Sequence, residues 1–438
     1  MALTPHQTRV LEELVQLIKA GHNRIVLKGS AGTGKTYLSA ELIRVLREDG
    51  IIPYNNGKIF ATAPTNKALA VLQGKIGELE ADFKTIHSAC KLHQYIDPKT
   101  GVASFVRGRA RLNDEFEYCR AAIIDEASML NSDFLQSHSV VRHGREDTEQ
   151  GYLENFNFPI IFIGDEKQLN PVGEEISPVW VQDYPEVELK EIIRQGEGNP
   201  IIDLSRDLDL MFFRRPMLTP HGKGYRFSSD TTNFIERLAE VNGTDELKYL
   251  AYTNKIVDEM NRYVRKRRYG EPKRIEKEET IVFNSPFGTF YTNQEVKVES
   301  LEIVTDYINI PTHDTRFDEM NKMVGKQDRI RMKFYVVNES IRVIHELSDV
   351  VYKRIYDSLK DNNRRYGWDG RGYHCFAEYF ADFKYNHAIT VHKSQGSTYK
   401  EAILNIGNMM INRNVKEREK MLYTAITRAS DLITLNNV

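Results

Sequence analysis

One octapeptide constrains this chain more strongly than any other stretch. Residues Gly29 to Thr36 read GSAGTGKT and fit the pattern G-x-x-x-x-G-K-[ST]. An apolar run, Ile25 to Leu27, precedes them, and apolar residues at helical spacing follow from Leu38 onward. This context predicts a phosphate-binding loop between a buried strand and a helix. Its glycines let backbone N–H groups face an anion, and the helix adds the positive end of its dipole.

The residues of this loop divide the work of holding a nucleotide. Lys35 can neutralise the β- and γ-phosphates, while the Thr36 hydroxyl suits a Mg²⁺ position. The alternative is a glycine-rich turn that precedes Lys-Thr by chance, which the strand and helix on either side make rarer. We expect a nucleoside triphosphate and Mg²⁺ as cofactors, held by Gly29, Ala31, Gly32, Thr33, Gly34, Lys35 and Thr36.

Length and composition exclude several classes of protein. A chain of 438 residues exceeds what one core usually covers, which predicts roughly two to four domains. No apolar run approaches about 18 residues and the N-terminus lacks a secretory pattern, so we expect no membrane span or secretory signal. Cys90, Cys119 and Cys375 are far apart and lack metal spacing, which predicts reduced thiols in a cytoplasmic protein. The formal net charge of −2 gives no whole-protein argument for nucleic acid. Nucleic-acid binding would therefore need local basic grooves.

Three further predicted strands run directly into polar motifs. The pairs are Lys58–Ala63 with Pro64-Thr65-Asn66, Ala121–Ile124 with Asp125-Glu126, and Pro159–Ile163 with the segment from Gly164 to Gln168. Buried strands that alternate with helices predict a parallel sheet whose ligands lie at the carboxyl ends of the strands. We therefore expect these motifs on the same edge of the sheet as the phosphate loop.

The acidic pair and the glutamine have the chemistry of a hydrolytic site. Asp125 would hold Mg²⁺, Glu126 would polarise the attacking water as general base, and Gln168 would contact the γ-phosphate or the water. An ordinary acidic pair at a strand end is the alternative. The buried strand before it and the phosphate loop elsewhere in the chain make that the minority interpretation.

An amphipathic helix over residues 4–20 opens the chain, with Thr4 as N-cap and Pro5 at its first position. Gln7 lies on its first turn. A solvated polar residue is the simplest interpretation of Gln7. Its place shortly before the phosphate loop favours adenine recognition instead, because a carboxamide can donate and accept at the base edge together.

Residues 93–117 interrupt the alternation of strands and helices. Their glycines, apolar arm and arginines predict a protruding β-hairpin. Phe105 on this hairpin either wedges against a base pair or packs its base, and the sequence leaves both open. The hydrophilic residues 142–157 predict a loop.

The second half repeats the α/β pattern around a β-rich insertion. Residues 280–345 predict antiparallel strands, residues 349–385 predict aromatic-rich helices, and Ala388–Val391 predicts a strand that runs into His392. Arg194 is either a surface arginine or a finger that reaches a γ-phosphate across a cleft.

As a set, these motifs resemble the superfamily-1 helicases of the 5′-to-3′ branch, the RecD-like group that includes the phage Dda type. The resemblance covers essentially the whole chain. The motifs occur in the order LTPHQ, GSAGTGKT, APTNKA, TIHS, IIDEAS, GDEKQLNPV, YTN, TVHKSQG and YTAITRA.

The resemblance implies an α/β fold with two RecA-like parallel-sheet domains. The first would span residues 1–185 with a pin hairpin at about 91–117. The second would comprise residues 186–299 and 386–438, and residues 300–385 would form an SH3-like β-barrel insertion with an aromatic helical extension.

The resemblance also implies roles for individual residues. Gln7 would read adenine, Gly396 would lie at the nucleotide, and Arg194 and Arg428 would act as arginine fingers. The residues expected along single-stranded DNA are Pro64, Thr65, Asn66, His87, Phe105, Thr253, Asn254, Asn293, His392, Lys393 and Ser394.

The function implied is an ATP-dependent DNA helicase that translocates 5′ to 3′ on single-stranded DNA and unwinds duplex or fork DNA in phage replication, recombination or repair. It would act as a monomer in the host cytoplasm, with single-strand-binding or replisome proteins as partners. A phosphate-loop kinase and a nucleotide-switched DNA-binding module are the alternatives. The kinase leaves TVHKSQG and Arg428 without a role, and the switch requires a defective Glu126 or Arg428.

Overall fold

The computed structural model describes residues 3–53, 57–77, 81–96, 103–107, 118–142, 145–154, 156–171, 173–191, 198–309, 329–366 and 376–436. No helix in these ranges is both long enough and apolar enough to cross a membrane.

The strands follow one another along the whole chain. Their bounds are β1 (Arg24–Gly29), β2 (Lys58–Ala63), β3 (Asp82–Thr85), β4 (Leu92–Ile96), β5 (Ala103–Arg107), β6 (Cys119–Ile124), β7 (His138–Arg142), β8 (Arg145–Glu149), β9 (Ile160–Gly164), β10 (Glu186–Leu189), β11 (Met217–Leu218), β12 (Gly224–Phe227), β13 (Leu247–Ala251), β14 (Thr280–Phe283), β15 (Glu295–Lys297), β16 (Leu301–Asn309), β17 (Arg329–Val337), β18 (Ile341–Ile344), β19 (Phe383–Tyr385), β20 (Ala388–Thr390), β21 (Tyr399–Asn405) and β22 (Ala429–Asn436).

Helices occupy many of the connections between these strands. Their bounds are α1 (Pro5–Lys19), α2 (Lys35–Glu48), α3 (Asn66–Ile76), α4 (Ile86–Ala89), α5 (Pro200–Arg206), α6 (Thr231–Val241), α7 (Asn254–Tyr269), α8 (Glu346–Tyr366), α9 (Ile406–Met410) and α10 (Val415–Ile426).

Six parallel strands form the first sheet, in the order β10-β1-β9-β6-β2-β3. Apolar side chains pack on both of its faces, in one cluster with α1 and α2 and in a second cluster around Phe162 and Trp180. The predicted parallel sheet is confirmed. We call this sheet with α1 to α4 the N-terminal unit.

The second sheet has the order β11-β12-β22-β21-β13-β20, with every pair parallel except β11 and β12. It too has an apolar cluster on each face, one with α10 and one with α6 and α7. Covering on both faces explains why every residue of the interior strand β13 is buried. We call this sheet with α5, α6, α7, α9 and α10 the C-terminal unit.

Two three-stranded antiparallel sheets, β15-β14-β19 and β16-β17-β18, lie in the β-rich insertion with α8. The antiparallel prediction for residues 280–345 is confirmed where the structure describes them. The helical prediction for 349–385 holds for α8 and is wrong at β19. The three residues of β19 are too few to show a helical or a strand period. Pairing with β14 makes them a strand.

Two hairpins extend from the N-terminal unit. Strands β4 and β5 form the hairpin predicted within residues 93–117. The loop predicted for 142–157 is wrong, because β7 and β8 pair as a second hairpin. Their polar residues hid the strands from sequence analysis. Val140 of β7 is buried, and Ser139 Oγ donates to Glu146 Oε1 at 2.6 Å across the strands.

A candidate nucleotide and nucleic-acid site

A cavity of about 470 Å³ lies between the N-terminal and C-terminal units. It collects predicted site residues from six separate motifs, as expected for motifs that follow parallel strands. The predicted site residues that line it are Gln7, Ala31, Gly32, Gly34, Lys35, Thr36, Asp125, Glu126, Gln168, Gly396 and Arg428.

The phosphate loop has the backbone geometry of an anion cradle. Gly32 and Gly34 have φ angles of +84° and +85°, a left-handed conformation that favours glycine. Gly29 is closely packed, since a Cβ there would lie 2.7 Å from Thr33 Oγ1. Lys35 opens α2 and its Nζ donates to the carbonyl oxygens of Gly29 at 2.7 Å and Ser30 at 3.1 Å. The ammonium group is thus held over the loop, beside the space that phosphates would fill.

Thr36 and Asp125 form an oxygen pair that suits Mg²⁺. The Thr36 hydroxyl donates to Asp125 Oδ2 at 3.2 Å. Burial and the neighbouring Glu126 carboxylate raise the pKa of Asp125 to about 6, so the site gains from a cation that compensates its charge. Within the described residues, no cluster of three or more His, Cys, Asp or Glu could hold a metal by itself.

Glu126 and Gln168 each bring a polar atom without a protein partner to the site. Glu126 has a φ of +52°, and its Oε2 is buried with no hydrogen-bond partner among the described residues. Gln168 is only 2% exposed, and its Oε1 also lacks a partner there. Buried polar atoms ordinarily have partners, so these two atoms are available to a bound substrate or water.

Gln7 is buried, so the solvated interpretation of this residue is wrong. Its backbone N–H donates to Thr4 Oγ1, and its Oε1 accepts from the Thr4 backbone N–H, which completes a capping box at the start of α1. Its Nε2 donates to the Thr33 carbonyl at 3.2 Å and so ties α1 to the phosphate loop. The spacing T-x-x-Q signals this capping role in the sequence. The adenine contact remains a prediction.

Arg428 and Gly396 reach the cavity from the C-terminal unit. The Arg428 guanidinium is 4% exposed and donates to the carbonyl oxygens of Thr424 and Ser397, both at 3.1 Å. Gly396 has a φ of +73°, and a Cβ there would lie 3.0 Å from the Ala68 Cβ of α3. The second predicted finger, Arg194, lies outside the described residues.

In the N-terminal unit, the residues predicted to contact DNA follow β2 and β3. Thr65 caps α3, where its Oγ1 accepts from the Ala68 N–H, and Pro64 and Asn66 flank it. The His87 ring lies 4.4 Å from the Phe105 ring and 5.3 Å from the Phe134 ring. Burial lowers the pKa of His87, so its imidazole is neutral near pH 7.

In the C-terminal unit, most of the residues predicted to contact DNA are half-buried around β13 and β20. Thr253 hydrogen-bonds Asn408, Asn254 accepts from Lys384, and Lys393 Nζ donates to Asn284 Oδ1 at 2.8 Å. The His392 ring lies 6.1 Å from the Tyr252 ring.

Two other predicted DNA contacts have less exposed polar atoms. Ser394 is fully buried, and its hydroxyl donates to the Val391 carbonyl. Asn293 has a φ of +65° and a buried Oδ1 without a partner among the described residues. The contact of each with DNA remains a prediction.

Other residues also contribute to the site, although the sequence did not predict them. Val71 and Lys75 of α3 line the cavity, but nothing in their spacing marks them as more than helix surface. The sequence predicts no role for Tyr423 of the YTAITRA motif, although its hydroxyl contacts the phosphate loop. The available signal was the hydroxyl of Tyr423, which lies in the same motif as Arg428.

The fold and site define a phosphate-loop nucleotide-binding protein built on two parallel sheets. Family models match residues 2–210, as an AAA domain, and 385–435, as a UvrD-like helicase C-terminal domain. The chain is 26% identical to the ATP-dependent DNA helicase dda of Enterobacteria phage T4, over 97% of each chain. It is 25% identical to the RecBCD enzyme subunit RecD of Buchnera aphidicola, over 95% of this chain and 71% of that protein.

A solved structure of Bacteroides Pif1 bound to ssDNA has the same fold. Its TM-score is 0.51 at 14% identity, over 99% of this chain and 92% of that chain. The resemblance of this chain to superfamily-1 helicases of the Dda-like and RecD-like kind is confirmed by the family models and the relatives.

Proposed function

We propose that this protein is an ATP-dependent DNA helicase that translocates 5′ to 3′ on single-stranded DNA and unwinds duplex and fork DNA. Similarity over nearly the whole chain to an ATP-dependent DNA helicase supports the activity. One structural observation carries the ATP-driven part. The phosphate loop, the Asp125–Glu126 pair and Arg428 line one cavity although they come from two different sheets.

In the proposed reaction the residues around the cavity act on ATP as a set. Lys35 and the loop amides bind the phosphates, and Glu126 Oε2 accepts a proton from the attacking water. Gln168 orients that water or the γ-phosphate, and Arg428 stabilises the charge that develops on the transferred phosphoryl group. Mg²⁺, held by Thr36 and Asp125, would supply further charge neutralisation at the phosphates.

Hydrolysis moves DNA only when the two units grip the strand differently in different nucleotide states. Arg428 belongs to the C-terminal unit and faces a nucleotide that the N-terminal unit holds. Its attraction to the γ-phosphate favours closure, and hydrolysis releases it. The proposed domains are 1–185, then 186–299 with 386–438, and 300–385 as the SH3-like insertion. The N-terminal unit differs from the first proposed domain because it also includes β10, which pairs with β1.

The DNA strand would cross the ends of β2, β3, β13 and β20, where the predicted contact residues lie. The β4–β5 hairpin, with Phe105 at 44% exposure, would act as the pin that separates the strands. We propose a monomer as the functional form, working in phage DNA replication, recombination or repair with single-strand-binding or replisome proteins.

ATP hydrolysis with and without a single-stranded DNA oligonucleotide is the decisive test. We expect strong stimulation by DNA, and preferential opening of duplexes that carry a 5′ single-stranded tail. Lys35→Ala should lower hydrolysis at least about 100-fold because it removes the main positive charge at the phosphates. Lys19→Ala, an exposed lysine paired with Asp49 at 3.8 Å, is the matched control and should keep wild-type turnover.

Each other outcome points to a different conclusion. Hydrolysis that ignores DNA would keep the nucleotide site and end the helicase proposal, leaving the kinase class. DNA binding that depends on nucleotide without hydrolysis would indicate the switch module. Opening of 3′-tailed duplexes would reverse the polarity. Wild-type turnover in Lys35→Ala would remove the assignment of the site.

A further inference from the structure

Tyr423 of α10 reaches from the C-terminal unit to the phosphate loop of the N-terminal unit. Its hydroxyl accepts a hydrogen bond from the Ala31 backbone N–H at 3.3 Å. The same hydroxyl donates to Asp165 Oδ2 at 2.7 Å. Tyr423 is 6% exposed, and its hydrogen bond to Asp165 is buried while the bond from Ala31 is partly buried. One oxygen atom therefore joins the phosphate loop, the loop after β9 and the second unit.

The Ala31 N–H belongs to the loop that cradles phosphate, and Ala31 lines the nucleotide cavity. A backbone N–H makes one good hydrogen bond at a time. A phosphate oxygen is a stronger acceptor than a phenol oxygen because it carries charge. The tyrosine oxygen and the nucleotide phosphates are thus competitors for the same donor.

We propose that Tyr423 is a positioning residue that senses nucleotide, since its hydroxyl accepts from the Ala31 N–H and is displaced from that donor when phosphate binds. This inference rests on the proposed nucleotide site and goes beyond it. Displacement frees the tyrosine from the phosphate loop, while its hydroxyl still donates a hydrogen bond to Asp165. Nucleotide binding is thereby transmitted to α10, the helix that ends beside Arg428.

Neighbouring contacts show that α10 is already seated on the N-terminal unit. Thr424 Oγ1 accepts from the Leu169 N–H at 3.1 Å, and Lys420 Nζ donates to the Glu166 carbonyl and Asn170 Oδ1, both at 2.7 Å. These bonds join the same two units without touching the phosphate loop. Among these contacts, those of Tyr423 alone involve an atom that phosphate would claim.

Tyr423→Phe keeps the ring and removes the competing oxygen. The Kd of purified full-length protein for AMP-PNP with Mg²⁺ should therefore fall about threefold to tenfold, the range for one intramolecular hydrogen bond. Stimulation of ATP hydrolysis by single-stranded DNA should fall as well, because the signal to α10 is lost. A purely structural tyrosine would not tighten nucleotide binding when it is removed.

Lys420→Met is the matched control. It removes contacts of α10 to the loop after β9 and leaves the Ala31 N–H untouched. Its Kd for AMP-PNP should stay within about twofold of wild type. Equal shifts in the two variants, an unchanged Kd in Tyr423→Phe, or weaker binding in that variant would each overturn the proposal.

Removal of the Tyr423 hydroxyl leaves the buried Asp165 carboxylate without that donor, which costs stability. If Tyr423→Phe cannot be purified, Tyr423→Phe with Asp165→Asn is compared with Asp165→Asn alone, and the same fall in Kd is expected. A wild-type protein that binds AMP-PNP but hydrolyses ATP without regard to DNA would end the helicase proposal. That result would leave this comparison of nucleotide affinities intact.

Discussion

At the scale of single residues, burial decides what a side chain can do. Gln7, Arg428 and Ser394 all have buried polar side-chain groups, and each is hydrogen-bonded to backbone groups. Glu126 Oε2 and Gln168 Oε1 differ because they have no partner among the described residues. This contrast separates side chains that build the site from side chains that remain free to act in it.

His387 shows how burial couples a single residue to pH. Burial and the nearby charges of Lys248, Arg265 and Arg268 lower the pKa of His387 to about 3. The folded protein holds this imidazole neutral, while the unfolded chain protonates it near pH 6.5. The unfolded state therefore binds more protons between these values, and stability falls as pH drops below about 6.5.

We expect His387→Phe to reduce the loss of stability between pH 7.5 and pH 5. The reduction should be about 2 kcal/mol, which is roughly 1.5 pH units below 6.5 at 1.36 kcal/mol each. Denaturant unfolding at the two pH values measures it, with exposed His221→Phe as the control. An identical pH dependence in wild type and His387→Phe would contradict this account.

At the scale of elements, the β4–β5 hairpin is anchored to the N-terminal unit through β5. Tyr152 donates to the Phe105 carbonyl at 2.9 Å, and Arg107 donates to the Tyr152 carbonyl at 3.0 Å. The Phe105 ring packs on His87 and still exposes 44% of its surface. Both interpretations of Phe105 from sequence therefore have support, since one side of the ring packs and the other faces solvent.

We expect Phe105→Ala to keep DNA-stimulated ATP hydrolysis and to slow strand separation, because a wedge acts on base pairs and not on ATP. Parallel assays of hydrolysis and of fork unwinding measure the two effects. Tyr118→Ala, an exposed aromatic outside the hairpin, serves as control and should leave both rates unchanged. Equal loss of the two activities in Phe105→Ala would show that the ring is structural.

At the scale of the whole molecule, charged side chains join the N-terminal unit to the β-rich insertion and to the segment before β13. Lys67 of α3 lies 2.6 Å from Glu295 of β15 and 3.8 Å from Asp245. Burial opposes the charge on Lys67, yet Tyr399, Glu295 and Asp245 outweigh it and raise the pKa of Lys67. Lys67 therefore stays charged, and its ion pairs connect α3 of the N-terminal unit to Glu295 and Asp245.

Lys67→Met should lower the free energy of unfolding by about 1–3 kcal/mol, because it leaves Glu295 half-buried without its partner. Differential scanning calorimetry detects this as a lower melting temperature. Lys58→Met is the control, since Lys58 pairs with Asp82 at 3.0 Å within one unit and is 54% exposed. An exposed pair contributes at most about 1 kcal/mol. Equal effects of the two substitutions would show that the contact of Lys67 is no stronger than a surface pair.

The sequence by itself determined which chemical groups meet at the site and the parallel sheet that positions them. The phosphate loop, the acidic pair and Gln168 each follow an apolar strand, and parallel strands bring their carboxyl ends to one edge. Local order along the chain was therefore enough to predict which of these groups meet. The same local signals predicted α1, its Thr4 cap and the parallel sheet.

Only the tertiary structure decided the contacts between units and the pairing of weak strands. Ala31 and Tyr423 are 392 positions apart, and no local pattern encodes the orientation of one unit on another. The β7–β8 hairpin was missed because its strands are polar and gain their order from pairing. Local sequence determines the position of each polar group on its strand or helix. Long-range packing determines which of these groups form a hydrogen bond with each other.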